Sequence, residues 1–159
     1  HRLAGRFVSK GKIMPVYADL KIFIVDDDIF CLTLYNQFLK NLGYSNVTSF
    51  TGGDECLNHL DAGPELIFLD YNMEGMNGIE VLEKIKSVNP NVAVYIITGK
   101  EDARVATEAI NKGAVDYVVK SSLSPDRMKS IMERVEELQA GKPREAKKPK
   151  GFFSRVFGN

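Results

Sequence analysis

Apolar positions along residues 21–140 fall into two alternating rhythms. Short apolar runs occupy 21–25, 47–50, 66–69, 92–97 and 117–119. Between them lie longer stretches in which apolar residues return every three or four positions. This alternation predicts successive strand–helix units built into a parallel sheet. The first, third and fourth runs are apolar almost throughout, as expected of strands covered by helices on both faces.

The punctuation agrees with the rhythm. A first helix is expected over 28–42, stopped by Gly43, a residue suited to the left-handed position after a helix. A second follows Thr51-Gly52-Gly53 and ends near Leu60, ahead of Gly63-Pro64. The third places Ile79, Leu82, Ile85 and Lys86 on one face and closes at Asn89-Pro90. The fourth runs over 102–112 with Val105, Ala109 and Ile110 inward and Gly113 as its stop. The fifth has Ser124 as cap, Pro125 in the first helical position and Asp126 in the first turn. Its stripe of Met128, Ile131, Met132, Val135 and Leu138 reads as core, and Gly141 ends it. Five strands alternating with five helices predict an α/β, doubly wound sheet, whose ligand sites lie beyond the carboxyl ends of the strands.

Those ends carry polar chemistry. The first strand runs into Asp26-Asp27-Asp28, the third into Asp70, the fourth into Thr98 and the fifth into Lys120. Carboxylates gathered at one edge repel one another and call for a cation. Oxygen donors without His or Cys suit a hard ion, and Mg²⁺ is the expected cofactor. A lysine and a threonine hydroxyl beside them suit the oxygens of a transferring phosphoryl group. Asp70, on the middle strand, is the natural nucleophile.

Charge changes the picture at the termini. Residues 20–140 hold 11 basic and 19 acidic side chains, whereas 1–19 carry a charge of +3 and 141–159 a charge of +5. An acidic body argues against DNA binding by the core, because phosphate neutralisation needs a basic face. No apolar run approaches a membrane span and nothing resembles a cleavable leader, so a cytoplasmic protein is expected. Cys31 and Cys56 show no metal or redox spacing and are read as reduced thiols.

With these residues in place, the chain resembles the receiver domains of bacterial two-component response regulators over about residues 20–140. KIFIVDDD (21–28), LIFLDYNMEGMNG (66–78), VYIITG (94–99) and EAINKGAVDYVVK (108–120) carry the likeness through their order and spacing. The resemblance implies a five-stranded CheY-like, flavodoxin-like (βα)5 fold with strand order 2-1-3-4-5. It implies a 4-aspartylphosphate on Asp70, donated by a histidine kinase or histidine phosphotransfer protein. Asp27 and Asp70 would then ligate Mg²⁺ directly, Asp26 mostly through water, and Asn72 through its backbone carbonyl. Lys120 would pair with phosphoryl oxygens, Thr98 would swing toward them, and Tyr117 would follow it inward from an exposed position.

Three positions depart from the family's pattern. Glu74 stands four residues after Asp70 where proline is common, Ser121 follows Lys120 where a cis-forming proline is common, and Gly99 follows Thr98 where alanine is usual. The Lys120–Ser121 bond is therefore either trans or cis under strain, since a non-proline cis bond costs about 2.5–4 kcal/mol. Gly99 gives the next loop more backbone freedom. None of the three removes a catalytic group.

Other residues are not promoted. His59 reads as a surface or half-buried residue of the second helix, Asp28 as a helix start, and Gly52-Gly53 as a turn lacking the lysine of a phosphate-cradling loop.

The chain divides into an N-terminal extension (1–19), a receiver (20–140) and a basic, aromatic-ended tail (141–159). In the tail, Phe152, Phe153, Val156 and Phe157 share one helical face, which suits weak contact with an anionic membrane or a partner groove; packing back on its own domain is the other reading. The function expected is a phosphoacceptor switch, not an enzyme, that signals by protein contact through its fourth helix, fifth strand and fifth helix. The alternatives are the receiver portion of a hybrid kinase or transcriptional regulator, and a docking module that works without phosphorylation. A haloacid-dehalogenase-like hydrolase, which also uses an aspartyl nucleophile, wants D-x-D-x-[TV], and Asp26-Asp27-Asp28-Ile29 does not lead into it.

Overall fold

The computed structural model describes residues 2–3, 6–9 and 11–142. Three short strands, β1 (Arg2–Leu3), β2 (Arg6–Ser9) and β3 (Lys12–Met14), form an antiparallel sheet in the order β1-β2-β3. From the sequence this segment is expected only as an extension; the signal for a hairpin here is the two-residue link between Ser9 and Lys12, whose Gly11 takes φ +77°, a conformation glycine adopts without penalty.

The main sheet holds β4 (Ile22–Val25), β5 (Val47–Phe50), β6 (Leu66–Asp70), β7 (Ala93–Thr98) and β8 (Asp116–Val119). They pair in parallel in the order β5-β4-β6-β7-β8, which is 2-1-3-4-5 when only these five are counted. Around them lie α1 (Ile29–Asn41), α2 (Gly53–Asn58), α3 (Gly78–Val88), α4 (Ala103–Asn111) and α5 (Pro125–Ala140).

Side chains alternate between two cores, as the period of a strand requires. Ile22, Ile24, Phe68, Tyr95 and Ile97 meet Leu32, Leu39, Met128 and Val135 from α1 and α5. Phe23, Val25, Ile67, Leu69 and Ile96 meet Ile79, Leu82, Ile85 and Ala109 from α3 and α4. Both faces are covered, so the three central strands can be apolar along their whole length.

The helix starts follow the capping residues. Asp28, Asn77, Asp102 and Ser124 each accept a backbone N–H of the first turn. One core expectation fails: Ile110 is 47% exposed. Ala109 is buried as expected, and Ile110 lies about 100° further round the helix, outside the buried stripe. Glu136 was not foreseen as buried; it is 8% exposed and accepts a hydrogen bond from the Tyr44 hydroxyl at 2.9 Å. Pro15 and Leu20 are buried, so the segment leading into β4 packs on the domain. The aromatic end of the tail, with Phe152, Phe153, Val156 and Phe157, lies outside the described residues. No described helix is long and apolar enough to cross a membrane.

Candidate functional site

The carboxyl edge of the main sheet brings distant acids together. Asp26 follows β4 and extends its ladder, its N–H bonded to Phe50 O at 3.1 Å. Asp70 ends β6, and the next residue, Tyr71, donates to Ile97 O at 2.8 Å. Both carboxylates are buried, at 1% and 2% exposure, while Asp27 is exposed. One carboxylate oxygen from each of Asp26, Asp27 and Asp70 lies within 4.8 Å of the others.

The start of α3 helps to fix Asp70. A Cβ on Gly78 would stand 2.6 Å from Asp70 O and 2.8 Å from Tyr71 Cα. Both are backbone atoms, so only glycine lets the helix begin this close. Asn72 is exposed in the loop between, and its backbone N–H favours the charged form of Asp70.

Lys120 enters from the end of β8. Its Nζ lies 2.9 Å from Asp26 Oδ2 and 3.5 Å from Asp70 Oδ1. Those two oxygens are buried and, apart from this ion pairing, receive no hydrogen bond of good geometry. Buried carboxylate oxygens with lone pairs to spare, in a set made only of oxygens, fit a hard divalent cation. Asp28 takes no part in the cluster; it caps α1 through Phe30 N–H at 2.9 Å.

Electrostatics follow from this burial. Removal from water, then the charges of Asp26 and Asp27, push the Asp70 carboxyl up to about 7, against the opposing pull of Lys120 and the Asn72 N–H. Burial alone would lower the Lys120 ammonium. The close ion pair with Asp26 and the charge of Asp70 outweigh it, and Lys120 holds its proton more firmly than usual.

The other half of the edge is neutral. Thr98 ends β7, buried, and its hydroxyl donates to Lys100 O at 3.2 Å. Tyr117, half-buried on β8, donates to the same carbonyl at 2.7 Å and accepts Asp102 N–H at 2.9 Å. Thr98 is thus brought to the edge with its hydroxyl committed to the following loop. The Lys100 carbonyl as a shared acceptor has no signal in the sequence, because backbone groups carry none. Among the described residues no peptide bond is cis, so Lys120–Ser121 is trans and opens a 3₁₀ turn over Lys120–Ser122. A contact from Cys31 to Lys120, 3.8 Å from Sγ to Nζ, was also unforeseen.

Comparison with known proteins gives one family. The family model for the response regulator receiver domain matches residues 22–133. The transcriptional regulatory protein ZraR of Salmonella typhimurium is 31% identical over 115 residues, 72% of this chain but 26% of the relative. The chain therefore spans about a quarter of that relative's length. The chemotaxis protein CheY of Thermotoga maritima is 27% identical over 116 residues, covering 96% of that protein. Among solved structures, a CheY-like receiver domain protein from Methanospirillum hungatei superposes with a TM-score of 0.71 at 28% identity, over 78% of this chain and 99% of the other.

Proposed function

The chain belongs to the response regulator receiver domain family, and from that premise we propose that Asp70 is the phosphoacceptor of a two-component phosphorelay. The observation that carries this reading is the cluster of Asp26, Asp27 and Asp70 with Lys120 set between two of its members.

In this reading an Asp70 carboxylate oxygen attacks the phosphorus of a phosphohistidine on a histidine kinase or phosphotransfer protein. The phosphorus–nitrogen bond breaks, its electron pair returns to the imidazole, and 4-aspartylphosphate remains on Asp70. Asp26, Asp27, Asp70 and the Asn72 carbonyl would hold Mg²⁺. Bound there, the ion neutralises the acids and offsets charge on the phosphoryl oxygens. Lys120 shifts from its carboxylate partners toward a phosphoryl oxygen, a fixed cation where charge develops. Thr98 exchanges its bond to Lys100 O for one to the phosphoryl group, and Tyr117 moves inward with it.

The signal passes by contact with a protein target, with no catalysis on an outside substrate. The cytoplasm is the compartment in this reading, since the donor is loaded there from ATP. Residues 20–140 form the receiver, 1–19 an extension, and 141–159 a tail suited to weak membrane or partner contact. A second reading, the receiver portion of a longer regulator, is favoured by the quarter-length match to ZraR. The near-complete match to CheY supports a stand-alone regulator. Sequencing of the full gene separates the two.

Intact mass after treatment with acetyl phosphate tests the assignment. The wild type should gain one phosphoryl group only with Mg²⁺, and Asp70→Asn should gain none. Full labelling of Asp70→Asn would overturn it.

A further inference from the structure

Cys31 lies outside the acid cluster, yet it touches two of the groups that shape it. It is the third residue of α1, and its thiol donates to Asp28 Oδ2 at 3.5 Å. Asp28 uses its other oxygen to cap the helix through Phe30 N–H, and its own N–H is held by Asp26 Oδ1 at 2.9 Å. The Lys120 ammonium reaches the sulfur at 3.8 Å and Asp26 Oδ2 at 2.9 Å. Asp26, Asp28, Cys31 and Lys120 thus form a closed circuit of contacts, and Asp70 Oδ1 sits 3.5 Å from its ammonium.

The ammonium has three protons and three neighbours here: two carboxylates and one sulfur. The carboxylates lie on the sheet side and the sulfur on the α1 side. A lysine stem has many rotamers, and two anchors on one side leave the head free to swing about them. A third contact from the helix removes that freedom. Sulfur is a weak, polarisable acceptor, so it fixes direction without binding the proton so tightly that Lys120 cannot change partners.

We infer that Cys31 is a positioning residue for Lys120, holding the ammonium over Asp70 so that it meets the incoming phosphoryl group. Cys56, the other thiol, is wholly buried in the core with Phe50 and Val81 and has no such role. The inference rests on the reading of Asp70 as phosphoacceptor.

The test uses the full chain as wild type, Cys31→Ala and Cys31→Ser. Three quantities are measured for each: the rate of Asp70 phosphorylation by acetyl phosphate at saturating Mg²⁺, the Mg²⁺ affinity, and the NMR signal of the Lys120 ammonium. The alanine variant should lose about 3- to 10-fold in rate, the size of one weak hydrogen bond, and its ammonium signal should move. Its Mg²⁺ affinity should stay within about twofold, because no proposed metal donor is touched. Serine, which keeps an acceptor at the same place, should restore at least part of the rate and move the signal back.

A wild-type rate with an unmoved Lys120 signal in the alanine variant would overturn the inference. So would equal losses in both variants together with weakened Mg²⁺ binding, which would mark a packing role. If the wild type takes no label at all, the phosphoacceptor reading falls. The Lys120 signal in the two variants would still decide whether Cys31 positions it.

Discussion

The two halves of the sheet's carboxyl edge solve opposite problems. At the ends of β4 and β6, Asp26 and Asp70 are buried, each with one oxygen that receives no good hydrogen bond. On β7 and β8, the hydroxyls of Thr98 and Tyr117 are both committed to one backbone carbonyl, Lys100 O. The first half therefore carries an electrostatic cost that a cation would relieve. The second is neutral and satisfied, so its hydrogen bonds set shape. Charge gathers on one half and committed hydroxyls on the other, and among the described residues Lys120, following β8, crosses to the acids.

Removing that crossing side chain should have the largest effect. Lys120→Met keeps most of the stem but leaves Asp26 and Asp70 facing each other without a cation. Phosphorylation by acetyl phosphate should fall by about 10²-fold, the scale for losing one preorganised charge at a phosphoryl oxygen. The Lys120 charge also lowers the Asp70 carboxyl, so its loss should make the variant need a higher pH to bind Mg²⁺. A rate within a factor of a few of wild type would mean that the two halves work without the bridge.

The cost on the acidic half should be visible in stability. Asp70 is raised to about 7 in the folded chain from an ordinary value near 3.8. The folded state therefore binds this proton more tightly than the unfolded one. Its contribution is fully present below about pH 4, declines as pH rises, and is lost above about pH 7. In EDTA, the wild type should lose stability relative to Asp70→Asn between pH 5 and pH 8, by on the order of 2 kcal/mol. Added Mg²⁺ should reverse the trend, since it favours the charged carboxylate. Urea unfolding of both proteins at the two pH values measures it. An unchanged difference between them would show that Asp70 is not held near neutrality by its surroundings.

The two halves were also unequally legible in the sequence. Asp26, Asp70, Thr98 and Lys120 could be placed because each ends, or immediately follows, an apolar run, and a doubly wound sheet gathers such ends at one edge. The acid cluster needed only that rule. The neutral half needed Lys100 O and Asp102 N–H, backbone groups that look alike in every sequence. Ile110 and Glu136 failed for a related reason. Periodicity marks a helical face but not its edges or its partners: Ala109 is buried as expected while its neighbour Ile110 falls outside the buried stripe, and Tyr44, 92 residues away, gave Glu136 its partner. The small N-terminal sheet escaped because strands of two to four residues carry too few positions to show an alternation.

The smallest effect should come from the neutral half. Tyr117→Phe removes the donor to Lys100 O and the acceptor of Asp102 N–H while leaving the ring in place. Tyr117 is only half-buried, so water can reach part of what is freed, and the cost should be about 1 kcal/mol. No proposed metal donor and no carboxylate is disturbed, so phosphorylation by acetyl phosphate should stay within about twofold of wild type. The effect should appear in the loop instead. Lys100 O would keep the Thr98 hydroxyl but lose the Tyr117 one, and α4 would lose a tie at its cap residue, Asp102. Amide exchange over 99–104 should quicken, while exchange over 22–25 and 66–70 stays unchanged. If Tyr117→Phe instead slows phosphorylation by tenfold or more, the tyrosine acts on the acids directly, and the separation between the two halves of the edge does not hold.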